Sequence, residues 1–242
     1  MNTRSSTAVS LAVLGVVTLG VFSTELPAKP KLETGPDAEI THDGLYRVDK
    51  TAMDAAWVKP DLDLTPYTKL LVGAAGVTFK PVDDEGQRWW PGVGTSSDQT
   101  EFPISEENKM RLQEEMRTAF LEELADLERY EIVAEPGQGV LLLAVALLDV
   151  VSRVPPVDQC VGRCDVYLSS VGEATLVLEL RDSVTNEVLA RAADRRAAEQ
   201  QGWAVEASSV TVWPEVRRLA HTWGKQVRKR LDEFESVDDL SR

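Results

Sequence analysis

The stretch Glu173-Ala-Thr-Leu-Val-Leu-Glu-Leu-Arg181, followed by Asp182-Ser-Val-Thr-Asn186 and then by Glu187-Val-Leu-Ala-Arg-Ala-Ala-Asp-Arg-Arg196, decides the fold. Ala174, Leu176, Leu178 and Leu180 occupy alternate positions, so an extended chain carries them on one face. The segment between the two runs is turn chemistry, because Asp, Ser, Thr and Asn side chains bond nearby backbone groups. The pattern predicts a β-hairpin, with Glu187 to Arg196 returning as the partner strand.

Other elements are placed outward from that hairpin. Upstream, the run from Val140 to Val151 is nearly all apolar, as a strand covered on both faces requires, with Asp149 interrupting it near its end. Before it come a short strand at Tyr130 to Ala134 and the turn Glu135-Pro136-Gly137-Gln138-Gly139. Ser105 is placed to cap a helix, with Glu106 and Glu107 in the first turn, where the helix dipole favours acids. Leu112, Met116, Phe120, Leu124 and Leu127 then recur at helical spacing. A strand is predicted over Lys69 to Val82, with Gly73 and Gly76 permitting a bend or bulge and Pro81 ending it. Downstream, Trp213, Val216, Ala220, Trp223, Val227, Leu231 and Phe234 predict a helix with Pro214 in its first turn. These elements define an α+β protein, a mostly antiparallel sheet with two amphipathic helices packed on one face.

Composition sets the wider frame. The 242 residues carry 40 acidic and 26 basic side chains, a formal charge of −14, which argues against a nucleic-acid backbone as partner. Two histidines and two cysteines leave little material for a zinc site. Arg4 followed by the apolar run Thr7 to Phe22 has the pattern of a secretory signal, with cleavage expected after Ser23. The alternative is an uncleaved anchor, since Thr7 to Thr24 amounts to 18 residues. Residues 24–43, with Pro27, Pro30, Gly35 and Pro36, read as an extended polar tether. A single domain is expected over 44–235, with a short acidic tail at 236–242, and export to the periplasm or another extracytoplasmic space.

Cys160 and Cys164 lie in Cys-Val-Gly-Arg-Cys between strand-like segments, and in an oxidising envelope such a pair forms a structural disulfide. Free thiols and a redox pair are the alternatives, although redox pairs use a two-residue spacer at a helix start.

Several segments taken together carry a family resemblance. Ile104-Ser105-Glu106-Glu107 opens a helix, and Glu135-Pro136-Gly137-Gln138-Gly139-Val140-Leu141 makes a turn into a strand that ends at Asp149-Val150-Val151. With Glu179-Leu180-Arg181-Asp182-Ser183 and Asn186-Glu187-Val188-Leu189-Ala190, they resemble the bacterial lipoproteins of domain-of-unknown-function family 3313 over residues 45–232. The resemblance implies an envelope protein with no assigned activity and no catalytic residues to carry over. Members commonly have a lipobox cysteine; this sequence has no cysteine before Cys160.

The chemistry-bearing residues are few. His42 sits in the tether and His221 on the last helix, next to its apolar stripe. Asp83-Asp84-Glu85 lacks the spaced ligands of a calcium loop, and Asp61 and Asp63, alternating with leucines, are expected on one strand face turned to water. No phosphate-cradling or nucleophile-elbow motif occurs, so no cofactor, metal or catalysis is expected.

Two features suit contact with a partner. Trp89-Trp90-Pro91-Gly92 lies in a polar loop, where one tryptophan packs inward and the other meets a partner, or both cover the core edge. Between Trp213 and Arg230, six cations face Glu215 alone, a local balance of +5, and Arg218, Lys225, Arg228 and Lys229 group away from the tryptophan stripe. That face suits an acidic partner or anionic lipid, or is a solvated face balancing acids elsewhere in the fold. The expected role is non-catalytic binding of an envelope protein or membrane surface. The runner-up is a carrier or sensor of a small apolar ligand held between sheet and helices, with hydrolysis a distant third.

Overall fold

The computed structural model describes residues 30–82, 101–154, 167–168, 170–199, 205–206 and 209–235. In chain order the elements are β1 (Lys31–Leu32), β2 (Tyr46–Asp49), β3 (Ala55–Val58), β4 (Lys69–Phe79), α1 (Glu106–Leu124), β5 (Glu131–Val133), β6 (Val140–Ser152), β7 (Tyr167–Leu168), β8 (Ser170–Asp182), β9 (Val188–Glu199), β10 (Val205–Glu206) and α2 (Ser209–Glu233). Among the described residues, eight strands form one sheet in the order β1-β2-β3-β9-β8-β6-β4-β5, and β7 pairs with β10. The protein is α+β. Its sheet is mostly antiparallel, with parallel pairing confined to β4 with β5 and β6. Parallel neighbours need a crossover, and α1 supplies it.

The hairpin pairs Glu173 through Arg181 with partners from Ala197 back to Val188. Leu176, Leu178 and Leu180 turn toward the helices, and they are joined in one core by Leu70, Leu141, Leu143 and Leu147 of the neighbouring strands. Met116, Phe120 and Leu124 of α1 and Ala220, Trp223, Val227 and Leu231 of α2 cover that face. Ser105 caps α1 by accepting from the Asn108 N–H at 3.3 Å. Where the two helices cross, a Cβ on Gly224 would lie 2.9 Å from Cβ of Glu123, so glycine permits the close approach.

Three expectations are corrected. Part of the tether is sheet: Lys31 pairs with Asp49 and Leu32 with Val48, and Leu32 is buried. A proline-rich composition signals an extended chain, and an extended chain can also add to a sheet edge. Asp61 lies in a turn and Asp63 in an isolated bridge rather than in a strand. Leu62 and Leu64 are buried as the alternation implies, but Asp63 turns the chain by accepting from the Thr65 N–H (2.9 Å) and hydroxyl (2.7 Å). Finally, α2 begins at Ser209, so Pro214 lies inside the helix rather than in its first turn. Proline there removes the donor that would meet the Val210 carbonyl, a loss confined to one hydrogen bond near the helix start.

Candidate functional site

The opening between the sheet and the last turns of α2 follows from side-chain size. On the face turned toward α2, β8 offers Leu178 and Leu180, whereas the registered partners on β9 are Ala192 and Ala190. The next strand repeats the economy, because Ala56 pairs with Ala192. Three alanines placed side by side leave space that leucines would fill. The result is a cavity of about 310 Å³ lined by Leu143, Leu178, Leu180, Val48, Val58, Leu62, Leu64, Val227, Leu231 and Phe234 as well as the alanines. Thr51, Arg191, Gln226, Arg230 and Glu233 supply its polar lining.

The walls are pinned. Asp232 accepts from the Glu128 and Arg129 N–H groups at 3.1 and 3.4 Å. The Arg129 guanidinium donates to the Phe234 carbonyl at 3.1 Å, and the Leu64 N–H to that of Glu235 at 2.8 Å. Opposite, the loop of Thr51, Ala52 and Met53 is held through Asp54, whose N–H reaches Asp194 (3.3 Å) and whose carboxylate accepts from the Arg195 N–H (2.8 Å). Pro30, at the start of the described chain, completes the lining.

Asp194 is buried at the edge of this region. Its carboxylate accepts from the Trp223 indole N–H at 2.7 Å and from Arg196 at 2.5 Å, and Arg196 also reaches the Gln226 amide oxygen at 3.4 Å. A buried carboxylate is tolerated when several donors replace its water. Arg191 borders the cavity, but its guanidinium bonds Asp43 (2.7 Å) and Glu179 (2.8 Å). Burial works against the Glu179 carboxylate; Arg181 and Arg191 outweigh it and hold the group below its ordinary range.

Of the residues singled out from sequence, Trp89, Trp90, Cys160, Cys164 and the Asp83-Asp84-Glu85 run lie outside the described residues. The basic side of α2 faces acids of α1: Arg217 grips Glu115 through two 2.9 Å bonds, and Arg228 meets Asp126 at 3.1 Å. Arg218 pairs with Glu215, and Lys229 lies 3.7 Å from Glu233. Lys225 is exposed. His221 is not at the cavity; its Nδ1 lies 2.9 Å from Glu123. His42 is exposed in a turn.

The alanine floor and Asp194 were missed from sequence. Their signal was the parity of β9: once Leu178 and Leu180 face inward, so do Ala190, Ala192 and Asp194 across the ladder.

A family model described as protein of unknown function, DUF3313, matches residues 42–227. The chain belongs to that family. Among curated proteins, none matches this DUF3313 chain. Solved structures similar to it include a dodecamer of a PelC point variant from Paraburkholderia phytofirmans, at 11% identity over 72% of this chain and 94% of that one, with a TM-score of 0.33. A DUF330 protein from Xanthomonas campestris shows 10% identity over 71% of this chain and 86% of that one, TM-score 0.36. A Helicobacter pylori protein described as a neuraminyllactose-binding hemagglutinin homolog shows 9% identity over the same shares, also at 0.36. At these scores the likeness carries no argument about role.

Proposed function

We propose that this DUF3313 protein is an exported, non-catalytic binder of a small apolar ligand held between the sheet and α2. The apolar cavity of about 310 Å³ carries the reading. At the slope measured for buried cavities, a dry void of that size costs at most roughly 7 kcal/mol, comparable to the whole stability of many domains. Water entering an open cleft lowers that figure, and an apolar occupant that displaces this water from the apolar walls is favoured. Export is supported by Arg4 and the apolar run after it. Partner binding through the basic face ranks second, because Arg217 and Arg228 already engage acids of α1.

Titration with N-phenyl-1-naphthylamine, an uncharged apolar fluorophore, tests the reading. Saturable one-to-one binding is expected, weakened at least tenfold in an Ala56→Leu/Ala192→Leu variant that melts cooperatively. No binding to the folded wild type, or equal binding to both proteins, overturns it.

A further inference from the structure

We infer that the cavity selects its ligand by chain length, accepting a single alkyl chain on the order of ten carbons, and that the charge of the ligand's polar end matters little. The inference rests on the apolar-ligand reading and adds the chemical class.

Volume limits the chain. About 310 Å³ equals roughly ten waters' share of liquid volume, and a methylene displaces about as much as a water. One short chain fills it; two chains do not fit. The floor is a strip of alanines and leucines, and the charged lining residue on its strands, Arg191, is engaged by Asp43 and Glu179, so each added methylene along the floor meets mainly carbon. Burying a methylene is worth about 0.8 kcal/mol, or about fourfold in affinity.

The polar end is set by one edge of α2. Gln226, Arg230 and Glu233 recur at spacings of four and three beside the apolar row Val227, Leu231 and Phe234. An alkyl chain lying under the apolar row therefore brings its polar end to the neighbouring row. There, Arg230 and Glu233 already pair at 3.3 Å, with half-exposed side chains. A carboxylate head gains Arg230 and meets Glu233; an ammonium head does the reverse. Exposed pairs of this kind contribute up to about 1 kcal/mol, a factor of about five. Chain length, at fourfold per carbon, dominates over that within two carbons.

The test measures displacement of the fluorophore by alkyl carboxylates of 6, 8, 10, 12 and 16 carbons below their micelle concentrations, with the matching alkyl maltosides and alkyltrimethylammonium salts as head-group arms. Affinity is expected to rise about fourfold per carbon and to level off near ten to twelve carbons. The three heads should agree within about fivefold at equal length. Ala192→Leu adds three carbons to the floor, so the plateau should fall by two to three carbons, with Ala190→Leu as a second variant should the first fail to fold. A rise that continues to 16 carbons, a plateau unmoved in both variants, or a head preference above 30-fold overturns the inference while leaving the apolar site intact. Failure of the fluorophore itself to bind removes the underlying reading instead. A further arm presents vesicles containing the same chain as a lysolipid: uptake matching the free acid assigns a membrane source, and uptake of the free acid alone assigns a soluble one. Either outcome keeps the length rule, and uptake of neither overturns it.

Discussion

The indole N–H of Trp223 meets the carboxylate of Asp194 at 2.7 Å in the interior, joining the middle of α2 to β9. Trp223 is 1% and Asp194 2% exposed, so water cannot replace either partner. The same carboxylate holds Arg196 and the Asp54 N–H, and through Asp54 the loop that walls the cavity. One buried acid thus links helix, sheet and cavity wall.

Removing that acid leaves three donors without their acceptor. Asp194→Ala is expected to cost about 2–4 kcal/mol. Trp223→Phe loses that bond and part of the buried ring volume, about 2–3 kcal/mol. Urea unfolding of both variants and of the double variant checks this. Singles that cost under about 0.5 kcal/mol, or add without coupling in the double variant, contradict it.

Two glycines should respond differently to alanine. A Cβ on Gly172 would lie 2.3 Å from the Val151 carbonyl oxygen, so backbone must move between β6 and β8. Gly172→Ala is expected to cost at least about 2 kcal/mol. At Gly224 the obstacle is Cβ of Glu123 at 2.9 Å, which moves only with its helix, so the two helices must part slightly, and up to about 1 kcal/mol of helix propensity offsets that cost. Denaturation midpoints should therefore fall further for Gly172→Ala, and the reverse order counts against the close β6–β8 approach.

Stability should depend on pH at both ends through one pair of groups, Tyr67 and Asp182. Tyr67 donates to Asp182 at 3.0 Å, and burial followed by that carboxylate pushes the phenol up to about 12. A raised tyrosine contributes below its ordinary value of 10.0, and the contribution is lost as pH rises toward 12. Asp182 is held below its ordinary 3.8, first by the Thr185 N–H, so its contribution is present above that value and lost as pH falls through the lower one. Tyr67→Phe should cost about 1 kcal/mol at pH 7 and flatten the alkaline fall, leaving the part due to Tyr130, whose phenol burial also raises. Urea midpoints between pH 3 and 11 measure both limbs; an unchanged alkaline slope rules the bond out as its source.

Most of the architecture was legible because it rests on local periodicity. The alternation of Ala174 to Leu180, the Ser105 cap and the stripe from Trp213 to Phe234 are each visible within one element, and each forms the element it suggests. The sheet's starting edge was not, since a pair of residues such as Lys31 and Leu32 has no periodicity and becomes a strand only beside β2. The cavity was hidden for a related reason. Ala56, Ala190 and Ala192 are inconspicuous in sequence, and they form one floor only because β3 and β9 register Ala56 against Ala192. The excess of cations on α2 was plain, yet its partners Glu115 and Asp126 lie about 100 residues away.

The most direct test of the central claim is mass spectrometry of an organic extract from the full chain purified without detergent from its native cells, alongside Ala56→Leu/Ala192→Leu. One single-chain amphiphile per wild-type molecule is expected, and none in the filled variant. An extract with no bound amphiphile, or the same one in equal amount from both proteins, contradicts it.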